Sequence, residues 1–491
     1  MKLEGLSIIG ARRGGRGGKT FAATNPANGE TLPETFYSAT TDEITEAARL
    51  AAEAFGEFSQ WSGAKRAAWM NRITELLEAN AAAIVERGNL ETALPPERLQ
   101  GELARTCFQL RFYGEATATG LCSGARIDHA DAQRKPSPKP DLRSLLRPVG
   151  PVVVFGASNF PLAYSVAGGD TASAFAAGCP VIVKAHPAHP GLSEIVGTLI
   201  QQAARETAAP GGIFSLLFDG DYEAGVALVK NPLVKAVGFT GSRRGGRTLM
   251  DLAAARPEPI PVFAEMSSIN PVFILPEILK QKPEELAAGL HASVTLGVGQ
   301  FCTDPGLVLV ENGDAAEIFL AKLASLIQAT PPGTMLTAGI CAAYHAGVEK
   351  FAGTPGVRQA ARAKATSTNA GASLFVTDAK TFFSQPQFDG GSVRAIHFGG
   401  PMFFARRNAC RRQKPGRPAH GNHPRAPGGT RGQPRAARIA GNQSRSIDIQ
   451  WFSDRGGSRP RNDSRGAVSV NFRWAIHVGR HPGNRAFFTS D

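Results

Sequence analysis

The sequence predicts an α/β fold, a parallel sheet covered by helices, and two observations carry that reading. Short apolar runs at Pro151–Phe155, Pro180–Lys184, Ile213–Phe218 and Val234–Phe239 alternate with stretches of helical pattern at Leu162–Gly178, Gly191–Thr207 and Asp221–Lys230. The runs are apolar at successive positions rather than at every second one, so both faces of each strand call for burial, as in a parallel sheet. With 491 residues, 42% of them apolar, the chain has room for two or three domains and a large core.

Ahead of these strands, residues 42–56 and 64–94 read as Ala-rich amphipathic helices with apolar positions three and four apart. Pro95-Pro96 interrupts, and a further helix is expected to Tyr113. Residues 130–141 are polar with three prolines, a loop or linker. A second α/β stretch begins near Asn270, with strands expected at Pro271–Leu275 and Gly306–Val310 and helices at Pro283–Leu296 and Asp314–Ala329. No run approaches ~18 apolar residues, and Met1–Gly5 has no basic-then-apolar pattern, so neither a membrane span nor a secretion signal is expected and the location reads as cytoplasmic.

Charge is distributed unevenly. The formal charge is +13, but residues 405–491 hold 17 Arg and one Lys against four Asp, with no Glu and no Leu, for +14. The preceding 404 residues carry 36 bases and 37 acids, a net of −1. A neutral body with a basic tail admits two readings: a polyanion-binding arm, or a segment never selected as protein. The six cysteines, Cys107, Cys122, Cys179, Cys302, Cys341 and Cys410, form no C-x-x-C pair and no zinc spacing, and no metal is expected.

Five places could carry chemistry. Asn159 lies in the turn after the first buried strand, as a helix cap or as an amide donor near a reacting oxygen. Lys184 ends the next strand, where α/β sheets bind ligands, although a lysine there can also snorkel to the surface. Phe239-Thr240-Gly241-Ser242 is a strand end, a glycine turn and a helix start; its amides favour phosphate, or it is a simple capped turn. Glu265 is flanked by apolar residues, which raises a carboxyl toward the range of a general base, unless it is capped or ion-paired. Cys302 follows the Gly-rich break Gly297-Val298-Gly299, a setting in which thiols are reactive.

Taken in this order and spacing, the five places resemble the aldehyde dehydrogenase superfamily, from about Asn25-Pro26-Ala27-Asn28-Gly29-Glu30 to about Phe383. Ala264-Glu265-Met266-Ser267-Ser268-Ile269-Asn270-Pro271 and Gly299-Gln300-Phe301-Cys302-Thr303 resemble the α-ketoglutaric semialdehyde (2,5-dioxovalerate) branch, with NADP-dependent fatty aldehyde dehydrogenases as the alternative. The resemblance implies a Rossmann-type cofactor domain over residues 1–265, a catalytic domain over 266–404 and a basic, disordered tail over 405–491. It implies Cys302 as nucleophile, forming a thiohemiacetal and then a thioester, and Asn159 with the Cys302 N–H as the oxyanion hole. Glu265 is implied as the base that activates water, Lys184 as the ribose contact, and Phe239, Thr240, Gly241 and Ser242 as the pyrophosphate turn. The cofactor is expected to be NADP or NAD, because His186 and Pro187 stand where strictly NAD-dependent relatives carry an acid. The partner is a small-molecule aldehyde, with no nucleic acid and no membrane. Family members are homo-oligomers, but the strand that joins them is not found here.

The family pattern breaks near residue 395. In place of E-x-F-G-P stands Ala395-Ile396-His397-Phe398-Gly399-Gly400-Pro401, with an extra Gly and no Glu, and no catalytic-domain strand is expected beyond Phe404. Codons permitted for Arg473–Arg485, read one base later, encode A-G-R-S-T-S-V-G-T-R-A-I-E, and Asp463–Ser469 shifted likewise permits I-H-G-G-P-F-P. Both are phrases of this family, in the family's order. The tail from about 405, with 387–397 beside it, therefore reads as translated out of frame, which sets an inactive remnant of the enzyme against a working one. A nucleic-acid module built on the tail fits its arginines, but the tail carries few aromatics and no binding motif. Sequencing the coding DNA checks the frame reading. A one-base slip ahead of the tail is expected, and an uninterrupted frame with the tail intact in purified protein contradicts it.

Overall fold

Capping chemistry fixes the first helices of the computed structural model, which describes residues 2–366, 369–384, 402–407 and 488–490. Thr40 Oγ1 accepts the Glu43 N–H at 3.3 Å while the Glu43 carboxylate accepts the Thr40 N–H at 2.9 Å, a reciprocal cap that starts the helix Thr41–Phe58. The single helix expected over 64–94 is two, Gly63–Ala79 and Ala81–Thr92. They divide at Asn80, whose Nδ2 donates to the Leu76 carbonyl at 2.8 Å and so offers that carbonyl a partner outside the helical ladder. Pro96 occupies the first turn of the next helix, where its missing N–H costs nothing, and the helix runs past Tyr113 to Ala118.

Seven strands form the first sheet, in the order Val262–Glu265, Ala236–Thr240, Val152–Phe155, Val181–Lys184, Phe214–Leu217, Ile8–Ile9 and Arg12–Arg13. The first five are parallel, and Ile8–Ile9 adds antiparallel through Ile8 opposite Leu216. Chain order reverses at Val152–Phe155, since the next strand lies on one side of it and Ala236–Thr240 on the other. The turns on its two sides diverge there and leave a crevice at the carboxyl ends of the strands, the usual ligand position of such sheets. The helix expected over Leu162–Gly178 begins only at Gly169. The turn before it is held instead by a side chain: Glu102 Oε1 accepts the N–H groups of Leu162 and Ala163 at 2.9 and 3.0 Å. Residues 130–141 form the exposed tip between the paired strands Arg126–Asp128 and Leu142–Ser144.

Five strands form the second sheet, in the order Pro271–Ile274, Leu307–Glu311, Met402–Arg407, Ser373–Asp378 and Arg358–Arg362. All neighbours are parallel except Arg358–Arg362 against Ser373–Asp378. The last strand of the first sheet ends at Glu265, and the first strand of the second begins at Pro271. Met402–Arg407 corrects the expectation that no strand follows Phe404. Met402-Phe403-Phe404-Ala405 is a short apolar run between proline and arginine, too brief to stand out, yet its backbone supplies the ladder partner that two neighbouring strands require. A second late strand, Phe488–Ser490, pairs antiparallel with Leu146–Pro148. Most of 387–397 and 405–491 lies outside the described residues, and with it the expectation of a disordered tail.

The core that joins helices to sheet is aromatic. Trp69 is 1% exposed and packs on Phe175 at 4.5 Å between ring centroids and on Phe58 at 5.6 Å. Trp69→Ala is expected to destabilise the protein by about 3–5 kcal/mol, the usual cost of removing so large a buried ring. Chemical denaturation measures it, and a loss below about 1 kcal/mol contradicts this core assignment.

Candidate active site

Cys302 sits after a turn that few sequences could make. Gly297, Val298 and Gly299 take φ of +58°, +60° and +70°, and Val298 does so with a β-branched side chain, a strained choice. Side chains from elsewhere hold the turn. Gln300 Oε1 accepts the Leu336 N–H at 2.9 Å, and its Nε2 donates to the Gly297 carbonyl at 3.3 Å. Asn270, itself left-handed at φ +46°, donates from Nδ2 to the carbonyls of Cys302 at 2.7 Å and Asp304 at 3.0 Å. Of the five described cysteines, none in a disulfide, Cys107, Cys179 and Cys341 are buried, whereas Cys122 and Cys302 are half-buried. Burial pushes the Cys107 and Cys179 thiols to about 12.

Asn159 reaches this turn from the first sheet. Its Nδ2 donates to the Gln300 carbonyl at 2.9 Å, and it is 5% exposed. An amide nitrogen carries two hydrogens, so one remains for another acceptor beside Cys302. Phe160 and Phe301 meet at 5.4 Å next to this bond, with the Arg98 guanidinium 4.6 and 4.5 Å from their ring centres. Arg98 also pairs with Glu102 at 3.3 Å. Glu265 ends its strand opposite Thr240, and its side chain is open to solvent at the mouth of the crevice.

Electrostatics join these groups. The Cys302 thiol is raised, first by burial and then by the Glu265 charge, while its own N–H and Arg105 pull the other way. Glu265 is itself raised by desolvation. Asp170, which the sequence reading did not single out, is pushed to about 6 by burial and by Glu265. Asp304 is pushed up to about 8 by burial, with Oδ2 unpartnered among the described residues.

The remaining expected residues gather at the neighbouring strand ends. Lys184 aligns with Phe155 and Leu217, is 8% exposed, and is lowered by desolvation. Phe239 packs on Phe155 at 6.1 Å. The Gly241 N–H donates to the Glu265 carbonyl at 3.0 Å, and Ser242 Oγ caps the helix Arg243–Ala254 by accepting the Gly245 N–H at 3.1 Å. No carboxylate follows Lys184 closely in sequence, but the fold brings two: the Asp219 and Asp221 charges reach Lys184 from the next strand end. Asp219 is occupied in accepting the Gly225 and Asp221 N–H groups at 3.1 and 3.2 Å. A desolvated lysine and a capped helix N-terminus beside a crevice at the reversal point fit a dinucleotide. Among the described residues there is no His, Cys, Asp and Glu cluster able to hold a metal, and no helix long and apolar enough to cross a membrane.

A dinucleotide-type sheet with a half-buried thiol and a carboxyl at its mouth fits an oxidoreductase. The chain belongs to the aldehyde dehydrogenase family, whose model matches residues 14–355. It is 47% identical over 391 residues to alpha-ketoglutaric semialdehyde dehydrogenase 2 of Azospirillum brasilense, covering 79% of this chain and 74% of that protein. It is 40% identical over 355 residues to alpha-ketoglutaric semialdehyde dehydrogenase of Acinetobacter baylyi, covering 72% and 67%. A NAD-dependent benzaldehyde dehydrogenase of Corynebacterium glutamicum shares the fold, with a TM-score of 0.67 at 19% identity, over 82% of this chain and 84% of that one. NAD(P) fits this family and this crevice.

Sequence reasoning passed over Glu102, Gln300 and the clamp made by Asn270. One signal was available for Glu102: it shares a helix face with Leu99, Leu103 and Leu110, where a solvated acid does not belong. Glu265→Gln is expected to lower the Cys302 thiol by removing the charge that opposes its ionisation. The pH profile of Cys302 alkylation by iodoacetamide then shifts to lower pH, and an unchanged or upward-shifted profile contradicts the electrostatic coupling.

Proposed function

We propose that this chain oxidises 2,5-dioxovalerate to 2-oxoglutarate with NADP or NAD, through a thioester on Cys302. The observation that carries the reading is the convergence of Asn159, Cys302 and Glu265 at one mouth, in a chain whose relatives at 47% and 40% identity are semialdehyde dehydrogenases. Bound nicotinamide supplies the hydride acceptor. The residues of the chain do the rest. The thiol must give up its proton to react, and Glu265, whose charge bears on it, is proposed to receive that proton. Cys302 Sγ then attacks the aldehyde carbon. The oxygen that becomes negative is taken by the free Nδ2 hydrogen of Asn159 together with the Cys302 N–H. Glu265, raised and open to solvent, accepts a proton from the water that cleaves the thioester. Lys184 and the Phe239-Thr240-Gly241-Ser242 turn are proposed to hold the ribose and pyrophosphate.

The proposed division places the cofactor domain at 1–265, the catalytic domain at 266–404 and an out-of-frame tail after it. A cytoplasmic location belongs to the same reading, supported by the five cysteines among the described residues that form no disulfide, as in a reducing compartment. Formation of NAD(P)H from 2,5-dioxovalerate, followed by absorbance, tests the proposal. Cys302→Ala is expected to abolish turnover, and Asn159→Ala to cost about 10²–10³ in kcat. Turnover that survives Cys302→Ala overturns the assignment.

A further inference from the structure

The helix Pro96–Ala118 presents one stripe toward the active-site turn: Arg98, Glu102, Arg105 and Gln109, spaced four, three and four apart. The first two are fully occupied. Arg98 pairs with Glu102 and donates to the Asn159 carbonyl at 3.4 Å, and Glu102 also holds the two turn amides. Arg105 is different. It is half-buried and makes no ion pair among the described residues, and its hydrogen-bond partner there is a neutral phenol, Tyr164 Oη, at 2.7 Å. Its charge centre lies 5.0 Å from the Tyr164 ring and 5.9 Å from the Phe160 ring. Phe160 in turn meets Phe301, the residue before Cys302. The Arg105 charge is also felt at the Cys302 thiol, and the other charged groups around that thiol, Glu265 and Asp304, are acids. One helical turn on, Gln109 Oε1 is buried without a partner among the described residues. A half-desolvated guanidinium with no carboxylate of its own, beside a nucleophile otherwise surrounded by acids, is built to receive an anion.

We propose that Arg105 binds the carboxylate of an anionic aldehyde and so selects carboxylate-bearing substrates over apolar ones. This rests on the proposed aldehyde oxidation, and it counts against a fatty aldehyde as the natural substrate. A guanidinium–carboxylate contact is charge-assisted and can be bidentate, so its loss is expected to cost about 10- to 100-fold in kcat/KM, mostly through KM.

The test compares two alkylating agents at Cys302, iodoacetate and iodoacetamide, which differ in charge and need neither cofactor nor turnover. Rate constants are read by mass spectrometry of the Cys302 peptide, in the natural chain, Arg105→Leu and Arg105→Lys. The iodoacetate-to-iodoacetamide ratio is expected to fall about tenfold in Arg105→Leu and to be largely kept in Arg105→Lys. Equal slowing of both agents means that Arg105 acts on the thiol or the fold rather than on an anion, and overturns the proposal. Should Arg105→Leu not fold, Arg105→Gln removes the charge while keeping a donor for Tyr164. In turnover, Arg105→Leu is expected to lose at least about tenfold more with 2,5-dioxovalerate than with pentanal, and equal losses overturn the proposal. If the natural chain oxidises neither aldehyde, the functional reading fails, and the alkylation ratio still decides for or against the anion site.

Discussion

The hydrogen bond from Asn159 Nδ2 to the Gln300 carbonyl joins the two halves of the site. Asn159 belongs to the turn of the first sheet, and Gln300 to the strained turn that feeds the second. Each end is fixed by further hydrogen bonds, with the Glu102 and Arg98 side chains on one side, and with the Asn270 side chain and the Leu336 N–H on the other. The bond therefore sets where an amide donor stands relative to the thiol. A displacement of about 1 Å there would cost far more in rate than in stability.

The environment of Cys302 is acidic and partly dry. Burial raises Cys302, Glu265, Asp170 and Asp304; the Glu265 charge raises Cys302 and Asp170 further, Asp304 adds to the effect on the thiol, and Arg105 is the cation set against it. Such a thiol is held back from chance alkylation and oxidation. A substrate carboxylate neutralising Arg105 would raise the thiol further, so binding and ionisation oppose each other electrostatically. That opposition leaves a place for a proton acceptor, and Glu265, the acid whose charge bears most on the thiol, is the proposed one.

Much of the fold is legible in the sequence because buried parallel strands such as Val181–Lys184 announce themselves as unbroken apolar runs. The expected helix ends missed where side chains overrode local pattern, at Asn80 and at the Glu102-held turn before Gly169. In the site, Cys302 and Glu265 carry local signals, a glycine break and an acid among apolar residues. Arg105, Asp170 and Asn270 act through partners distant in sequence, such as Tyr164, Glu265 and Cys302, and such contacts exist only after folding. Met402–Arg407 shows the same limit for a strand: its place follows from an open slot between Leu307–Glu311 and Ser373–Asp378 rather than from its own composition.

The central claim is that this chain, despite a basic tail that departs from the family, brings a competent thiol and its oxyanion donors to one crevice. Rapid quenching of the protein with 2,5-dioxovalerate and NADP, followed by mass spectrometry of the Cys302 peptide, tests it most directly. The account predicts an acyl adduct on Cys302, lighter by two hydrogens than the simple aldehyde adduct, formed in step with one equivalent of NADPH. An unmodified Cys302, or an aldehyde adduct with no reduced cofactor, in protein shown to be folded would contradict it.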